Sequence, residues 1–238
     1  MSLFHRNDES DPSLLGIVFF AFLFGIIGAV SGFLLLASIP LKSFESPLEL
    51  ESFIEINPQT SLLKGYCFEG SVTVTPELVR KRAAFLNGHD TMIELTDGEI
   101  NAWITSEFSK PRSTFSLKDR PGVLILPDLP NFFIDESVGF TFTIPMETII
   151  YGKEHYHLMT VKGYFVEEEM EGSFINFGVE EIRINDAKIP LYKGWGNQLL
   201  AKLLQPYLKT DEFIQFMKAW SKVDSVEVAA NRIRLNLD

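Results

Sequence analysis

Residues 92–104 read MIELTDGEINAWI, and they carry the strongest local structural signal in the 238-residue chain. Thr96 and Glu99 have the spacing of a capping box, in which each side chain accepts a hydrogen bond from an unpaired backbone N–H group at a helix N-terminus. Ile100 and Trp103 follow at helical spacing, so one stripe of the helix is expected to be buried. The stretch therefore predicts a helix that packs against a core.

A second helix is predicted just upstream, over residues 76–87. Thr75 can act as its N-cap, and Pro76 fits the first helical position, where no backbone N–H group is needed. Asn87 and Gly88 supply a C-terminal stop signal.

Downstream of the capping box, the chain changes to the two-residue alternation of β-strands. Phe140 and Phe142 point to one face of a predicted strand, while Thr141 and Thr143 point to the other. Because consecutive strands with short connections form antiparallel pairs, we expect a β-meander. The predicted strands cover residues 138–144, 149–151, 156–166, 173–179 and 182–185.

Helical spacing returns after Pro190. Trp195 begins one helical stripe, Thr210 caps a second short helix, and two alternating runs on either side of Asn231 predict a closing hairpin. The order of elements predicts an α+β fold. Its antiparallel sheet, a meander plus a C-terminal hairpin, is covered by several helices and preceded by one N-terminal transmembrane helix.

That N-terminal helix is predicted from residues 14–39, a run of 26 residues without a charge. About 20 apolar residues suffice to cross the hydrocarbon core of a bilayer. The alternative is a cleaved signal peptide, but a cut after Ala37 would put Leu35 where a small residue is expected. We predict a short N-terminal tail at 1–12, a transmembrane anchor at 13–40, a juxtamembrane linker at 41–64 and a soluble α+β domain at 65–238.

The charge of the chain argues against one class of partner. The formal net charge is -11, and it is -9 without residues 1–12. Such a domain repels phosphate backbones and has no basic stripe, so we expect no nucleic-acid partner. Lys and Arg are almost equally frequent on both sides of the anchor, so charge does not set its orientation. From the usual behaviour of N-terminal anchors, we expect the domain to be extracytoplasmic.

Small residues line one face of the predicted anchor. Ala21, Gly25, Gly28 and Gly32 recur at steps of four and three residues, a spacing that lets two helix backbones approach closely. Glycine is also common in membrane helices in general. The face is a candidate for pairing with a membrane protein partner or with a second copy of the chain.

Candidate chemistry is sparse. His155 and His157 flank Tyr156 on a predicted strand, so their rings emerge from the same face. They could supply two zinc ligands, but a zinc site needs at least one more, which the sequence does not place. Cys67 is the single cysteine, and the familiar nucleophile, phosphate-binding and metal motifs are missing from the sequence. We expect no catalytic residue, metal or cofactor.

Phenylalanine is abundant, with 21 residues. These rings either fill an ordinary core or enclose an elongated apolar groove for a lipid or another chain. The residues predicted to line such a groove are Phe140, Phe142, Phe165, Phe177 and Trp195.

The N-terminal anchor and two short stretches resemble the YpmS-like proteins, which are single-pass anchored bacterial proteins with an extracytoplasmic domain and no established reaction. Residues 95–101 (LTDGEIN) are similar to that group's Leu-Thr-x-x-Glu-Leu-Asn helix start, and residues 226–228 with 232–235 are similar to its closing strand. The resemblance implies an architecture and transfers no functional residue.

Two functions are compatible with these patterns. The first is a non-enzymatic, membrane-anchored accessory or binding protein whose domain engages a partner protein or an apolar ligand near the bilayer. The alternative is a membrane-anchored hydrolase or metal-dependent enzyme that uses His155, His157 and nearby acidic residues.

Overall fold

The computed structural model describes residues 14–56, 65–88, 90–107, 123–136, 138–151, 153–168, 174–192, 194–205, 210–229 and 231–237. These residues form helices and antiparallel sheets, so the predicted α+β class is confirmed. The helices in the described ranges are α1 (Leu14–Ser38), α2 (Pro47–Ile56), α3 (Pro76–Asn87), α4 (Asp97–Glu107), α5 (Trp195–Leu204) and α6 (Asp211–Trp220).

The strands form a central sheet, a second sheet and one short parallel pair. Their bounds are β1 (Lys42–Phe44), β2 (Tyr66–Phe68), β3 (Met92–Thr96), β4 (Val123–Pro127), β5 (Asn131–Asp135), β6 (Gly139–Ile150), β7 (Lys153–Glu168), β8 (Phe174–Ile184), β9 (Ala187–Lys188), β10 (Val223–Ala229) and β11 (Arg232–Leu237).

The central sheet contains the predicted meander. Its order is β4-β6-β7-β8-β9, and β5 also pairs with β6 beside β4. All of these pairs are antiparallel. The strands predicted over residues 173–179 and 182–185 belong to one continuous strand, β8.

The predicted C-terminal hairpin is also present, as β10 and β11. It does not extend the meander, because β11 pairs with β3 to make a separate three-stranded sheet. The apolar side chains of this second sheet join those of the central sheet in one core, which includes Ile93, Leu235, Ile144 and Ile182.

The helix ends follow the sequence signals. The hydroxyl oxygen of Thr75 accepts a hydrogen bond from the backbone N–H of Leu78, and Gly88 ends α3 in the left-handed region at φ 66°. At the start of α4, the N–H of Glu99 donates to Thr96 Oγ1 over 3.1 Å, and the N–H of Thr96 donates to Glu99 Oε2 over 3.2 Å. The predicted helix over 76–87 and the capping box are therefore confirmed.

The far face of the central sheet carries a smaller apolar cluster. Phe44, Phe68 and Phe133 are buried there, with Leu50 and Phe53 of α2 packed against them. Part of the segment predicted to be a linker, residues 42–56, thus forms β1 and α2 and packs on the sheet.

Helix α1 matches the predicted apolar run. Within it, Val18–Ser38 is long and apolar enough to cross a membrane, with a mean hydropathy of 2.5. The side chains of this stretch are exposed except at Phe33 and Ala37, near the C-terminal end. The predicted N-terminal helix of membrane-spanning length is therefore present.

Candidate apolar binding cavity

An apolar cavity of about 420 Å³ lies between the central sheet, the second sheet and helices α4, α5 and α6. Strands β6, β7 and β8 provide one wall, and the helices provide the opposite one. Sheet residues on its lining include Phe132, Phe140, Phe142, Phe165, Ile175 and Phe177, and helix residues include Ile100, Trp103, Leu200, Phe213, Phe216 and Trp220.

The lining is almost purely hydrocarbon and aromatic. Eight phenylalanines contribute to it, none of its described residues is charged, and Asn176 supplies the one amide side chain among them. The indole N–H of Trp220 donates to the carbonyl oxygen of Ile175 over 2.9 Å, so this ring offers the cavity no free donor. The space therefore suits a ligand that makes apolar contacts.

Four rings form a continuous aromatic wall on the central sheet. Phe140 and Phe142 are two residues apart on β6, so they share a face, and Phe165 lies opposite Phe177 across the β7–β8 pair. Ring centroids lie 5.0 Å apart for Phe140 and Phe165, and 5.7 Å apart for Phe142 and Phe177. These distances are typical of packed aromatic pairs.

The structure thus brings four of the five predicted groove residues together on the cavity wall and places the fifth elsewhere. Trp195 is 63% exposed and packs edge-on against Tyr192. The reason lies in α5, whose sheet-facing side begins at Gly196. A Cβ atom there would lie 3.0 Å from Val179 Cγ1. Leu200 and Leu204, at the following four-residue steps, line the cavity instead.

Helix α6 contributes residues that were not predicted as cavity residues. Phe213, Phe216 and Trp220 fall on one face of the helix, and all three border the cavity. Their spacing predicts a buried face. It does not predict that the face borders a cavity, because that depends on how two distant segments pack.

The two histidines do not converge with further ligands. The ring centroids of His155 and His157 lie 6.5 Å apart. His157 Nδ1 lies 3.2 Å from the carbonyl oxygen of Ala37, which can only accept, so this contact uses an N–H group of the ring. Across the described residues, no group of three or more His, Cys, Asp or Glu side chains could hold a metal ion. Among the acidic residues that follow on β7, Glu167 and Glu168 end the strand, and Glu169 and Glu171 lie outside the described part of the chain.

The capping-box glutamate belongs to a polar cluster, the Glu99 network, made of Glu99, Thr75, Lys81 and Thr96. Lys81 Nζ donates to both carboxylate oxygens of Glu99, over 2.9 and 2.7 Å, and Thr75 Oγ1 donates to Oε1 over 2.8 Å. Burial alone raises the pKa of Glu99, but the hydrogen bonds from Lys81, Thr75 and the Thr96 backbone together hold that pKa below its ordinary value. The carboxylate is therefore charged and fully engaged at neutral pH.

Asn101, two residues further along α4, is a structural clamp. It is 1% exposed, and its amide nitrogen donates to the carbonyl oxygens of Ser71 and Phe132 over 3.0 and 2.8 Å. Its carbonyl oxygen accepts from the Phe132 N–H over 2.6 Å. Asn101 thereby fixes β5 at Phe132, one of the residues that line the cavity.

The predicted pairing face of α1 is open in the structure. A Cβ atom at Gly25, Gly28 or Gly32 would meet no other atom within 4 Å, and Ala21 is exposed. The face is free to receive another helix, and its pairing stays a prediction.

Comparison with protein-family models, with curated proteins and with solved structures gives no match for this chain. The resemblance to the YpmS-like proteins therefore stays a prediction, and the cavity has to be interpreted from its own geometry.

Proposed function

We propose that the protein is a membrane-anchored binding protein whose domain holds a hydrocarbon ligand, such as a lipid chain, in the apolar cavity. The observation that carries this proposal is the cavity itself, whose described walls combine eight phenylalanines with no charged residue.

The size of the cavity supports an occupant. Well-packed interiors hold few voids larger than a water molecule. This pocket, of about 420 Å³ and partly open to solvent, is far larger than such voids. Its volume falls within the usual range for small-molecule sites, about 300–1,000 Å³. A hydrocarbon ligand would cover apolar side chains that water otherwise contacts.

The lining also restricts the chemistry of the ligand. A carboxylate or phosphate inside the cavity would lose its hydration, and no described lining residue offers a compensating charge. The apolar part of the ligand therefore enters, and any charged headgroup stays outside. The amide of Asn176 can accommodate one neutral polar atom of the ligand.

The second part of the proposal is that α1 is retained as a single-pass anchor. Its last turn is built into the folded domain, because the carbonyl oxygen of Ala37 accepts hydrogen bonds from the side chains of Asn185 and His157. A signal peptide would be removed by cleavage at about this point. These bonds support an anchor that stays attached, with the bilayer as the partner of residues 13–40 and the domain outside the cytoplasm.

Native mass spectrometry of the full chain, released from nanodiscs, tests the ligand. We expect a bound lipid whose chain is identified after organic extraction. Leu200→Trp, which fills the cavity from α5, should reduce the bound fraction at least tenfold. Ala201→Trp is the matched control, because it places the same ring on the exposed side of the same helix. No bound lipid in the wild type, or equal occupancy in both variants, would overturn the proposal.

Protease accessibility tests the anchor. In intact cells, added protease should digest the domain, while the full-length mass of the purified protein should show that α1 is present. A protected domain would contradict the orientation, and a mature chain that begins after Ala37 would contradict the anchor.

A further inference from the structure

The end of α1 is clamped to the central sheet by one turn. Asn185 is 4% exposed and adopts a left-handed conformation, φ 49°, between β8 and β9. Its amide nitrogen donates to Ala37 O, its carbonyl oxygen accepts from the Leu158 N–H over 2.8 Å, and its own N–H donates to Leu158 O over 2.8 Å. Strand β7 is therefore fixed, at residues 157 and 158, to the last turn of the helix.

The length of α1 indicates the depth of this clamp. Helix α1, Leu14–Ser38, has 25 residues, which span about 37 Å of helix axis, several ångström more than the roughly 30 Å of a hydrocarbon core. With Leu14 at one edge of that core, Ala37 reaches past the other edge into the headgroup layer, which is about 5–7 Å thick. His157, which contacts Ala37, lies at the depth of the lipid headgroups.

The β7 residues next to the clamp expose large aromatic side chains. Tyr156 is 74% exposed, and Tyr151, in the turn between β6 and β7, is 85% exposed. At about 3.3 Å per residue, the start of β7 at Lys153 lies about 13 Å from His157, so the turn shares the headgroup layer with His157 when β7 runs along the plane of the bilayer. Tyrosine is enriched at membrane–water interfaces, where its ring meets the acyl boundary and its hydroxyl meets the headgroups. An exposed tyrosine pair beside a membrane helix fits that layer.

The charges around this turn favour neutral over anionic lipids. Lys153 is accompanied by Glu147 and Glu154, whose carboxylates raise the pKa of the Tyr156 hydroxyl. An anionic surface would repel the two carboxylates, whereas a zwitterionic headgroup layer can accept both tyrosine rings.

We propose that β7 runs along the plane of the bilayer that holds α1, so that the β6–β7 turn, with Tyr151 and Tyr156, rests in its zwitterionic headgroup layer. This inference rests on the proposed anchorage of α1. This contact would give the domain a fixed orientation on the membrane in place of free rotation about a linker.

Site-directed spin labelling of the full chain in phosphatidylcholine nanodiscs tests the inference. Labels replace Tyr151→Cys or Tyr156→Cys, and collision rates with oxygen and with a water-soluble nickel chelate report their depth. Ile27→Cys, at an exposed position in the middle of α1, is the reference for hydrocarbon. Ile214→Cys, on the outer side of α6, is the reference for water. The wild type is the labelling blank, because burial raises the pKa of the Cys67 thiol and shields it.

We expect both tyrosine-site labels to give depth values between the two references, with nickel accessibility at least threefold below that of Ile214→Cys. Values equal to those of Ile214→Cys at both sites, with Ile27→Cys in hydrocarbon, would overturn this inference alone. An Ile27→Cys label in water would overturn the anchorage itself and the inference with it. The two failures are therefore distinguishable.

Discussion

Helix α4 contributes to two regions of the molecule, a polar cluster around Glu99 and Asn101 and the apolar cavity. In the first, every polar side-chain atom of these two residues has a hydrogen-bond partner; in the second, the side chains leave space unfilled. Glu99 and Asn101 bind partners with every oxygen and with the amide nitrogen, so the polar region is closed. Ile100 and Trp103 of the same helix face the apolar cavity, where about 420 Å³ has no protein partner. Polar residues in a recognisable motif can thus be structural, while phenylalanines with ordinary strand and helix spacing can border an open cavity.

The largest loss of stability should come from breaking the Glu99 network. Glu99→Ala leaves Lys81 and Thr75 without their acceptor, and breaking a largely buried pair in this way should cost about 3 kcal/mol. Thermal unfolding of the detergent-solubilised protein should show a Tm lower by about 6–12 °C, while bound lipid is retained below the transition. Glu180→Ala, which removes an exposed carboxylate 3.9 Å from Lys162, is the control and should change Tm by at most about 2 °C. Loss of lipid at unchanged Tm would contradict the structural role of Glu99.

Asn101→Leu should have a smaller effect that reaches both regions. It removes the side-chain partner of backbone groups of Ser71 and Phe132, at a cost of about 2 kcal/mol. Because Phe132 borders the cavity, lipid occupancy should also fall severalfold at temperatures where the domain is folded. Asn87→Leu, at the exposed end of α3, should leave both the Tm and the native mass spectrum unchanged. Equal Tm and equal lipid occupancy in the two variants would contradict the role of Asn101 as a clamp.

Phe165→Ala tests the apolar cavity. A fully packed phenylalanine costs about 3–5 kcal/mol on truncation, but Phe165 is half-buried and borders the cavity. We expect about 1–2 kcal/mol of destabilisation and a change in the chain length or branching of the bound lipid, read by mass spectrometry. An unchanged lipid profile with a large loss of Tm would indicate that this ring is ordinary core.

The smallest effect concerns pH. The pKa of Glu99 is lower in the folded protein than in the unfolded chain, so its stabilising contribution is present above the unfolded value, about 4.3. That contribution is lost as the pH falls through the lower folded value. The Tm advantage of the wild type over Glu99→Gln should therefore shrink between pH 5 and pH 3, values chosen to bracket about 4.3. A constant difference over this range would show that the charge of Glu99 does not contribute.

The elements that local patterns determine could be predicted from the sequence. The capping box at Thr96, the cap at Thr75 and the meander depend on residues close together in the chain, and all are present. The pairing of β11 with β3 joins residues such as Leu235 and Ile93, which no short-range period connects.

The cavity likewise combines features that local patterns predict with features that depend on contacts between distant segments. Alternation along β6 predicts that Phe140 and Phe142 share a face, and both line the cavity. Trp195 is exposed because Gly196 takes the sheet-facing position, a choice decided by the close approach of α5 to Val179. The role of Asn101 was also not predictable, because its partners are backbone groups about 30 residues away.

The hydrogen bond between Ala37 and Asn185 also sets an order of events during synthesis. The two residues are 148 positions apart. At about 5–20 residues per second, the ribosome makes Asn185 roughly 7–30 s after Ala37. During that interval the Ala37 carbonyl has to be satisfied by groups other than the Asn185 amide. The last turn of α1 is thus completed only after the second half of the domain has been made.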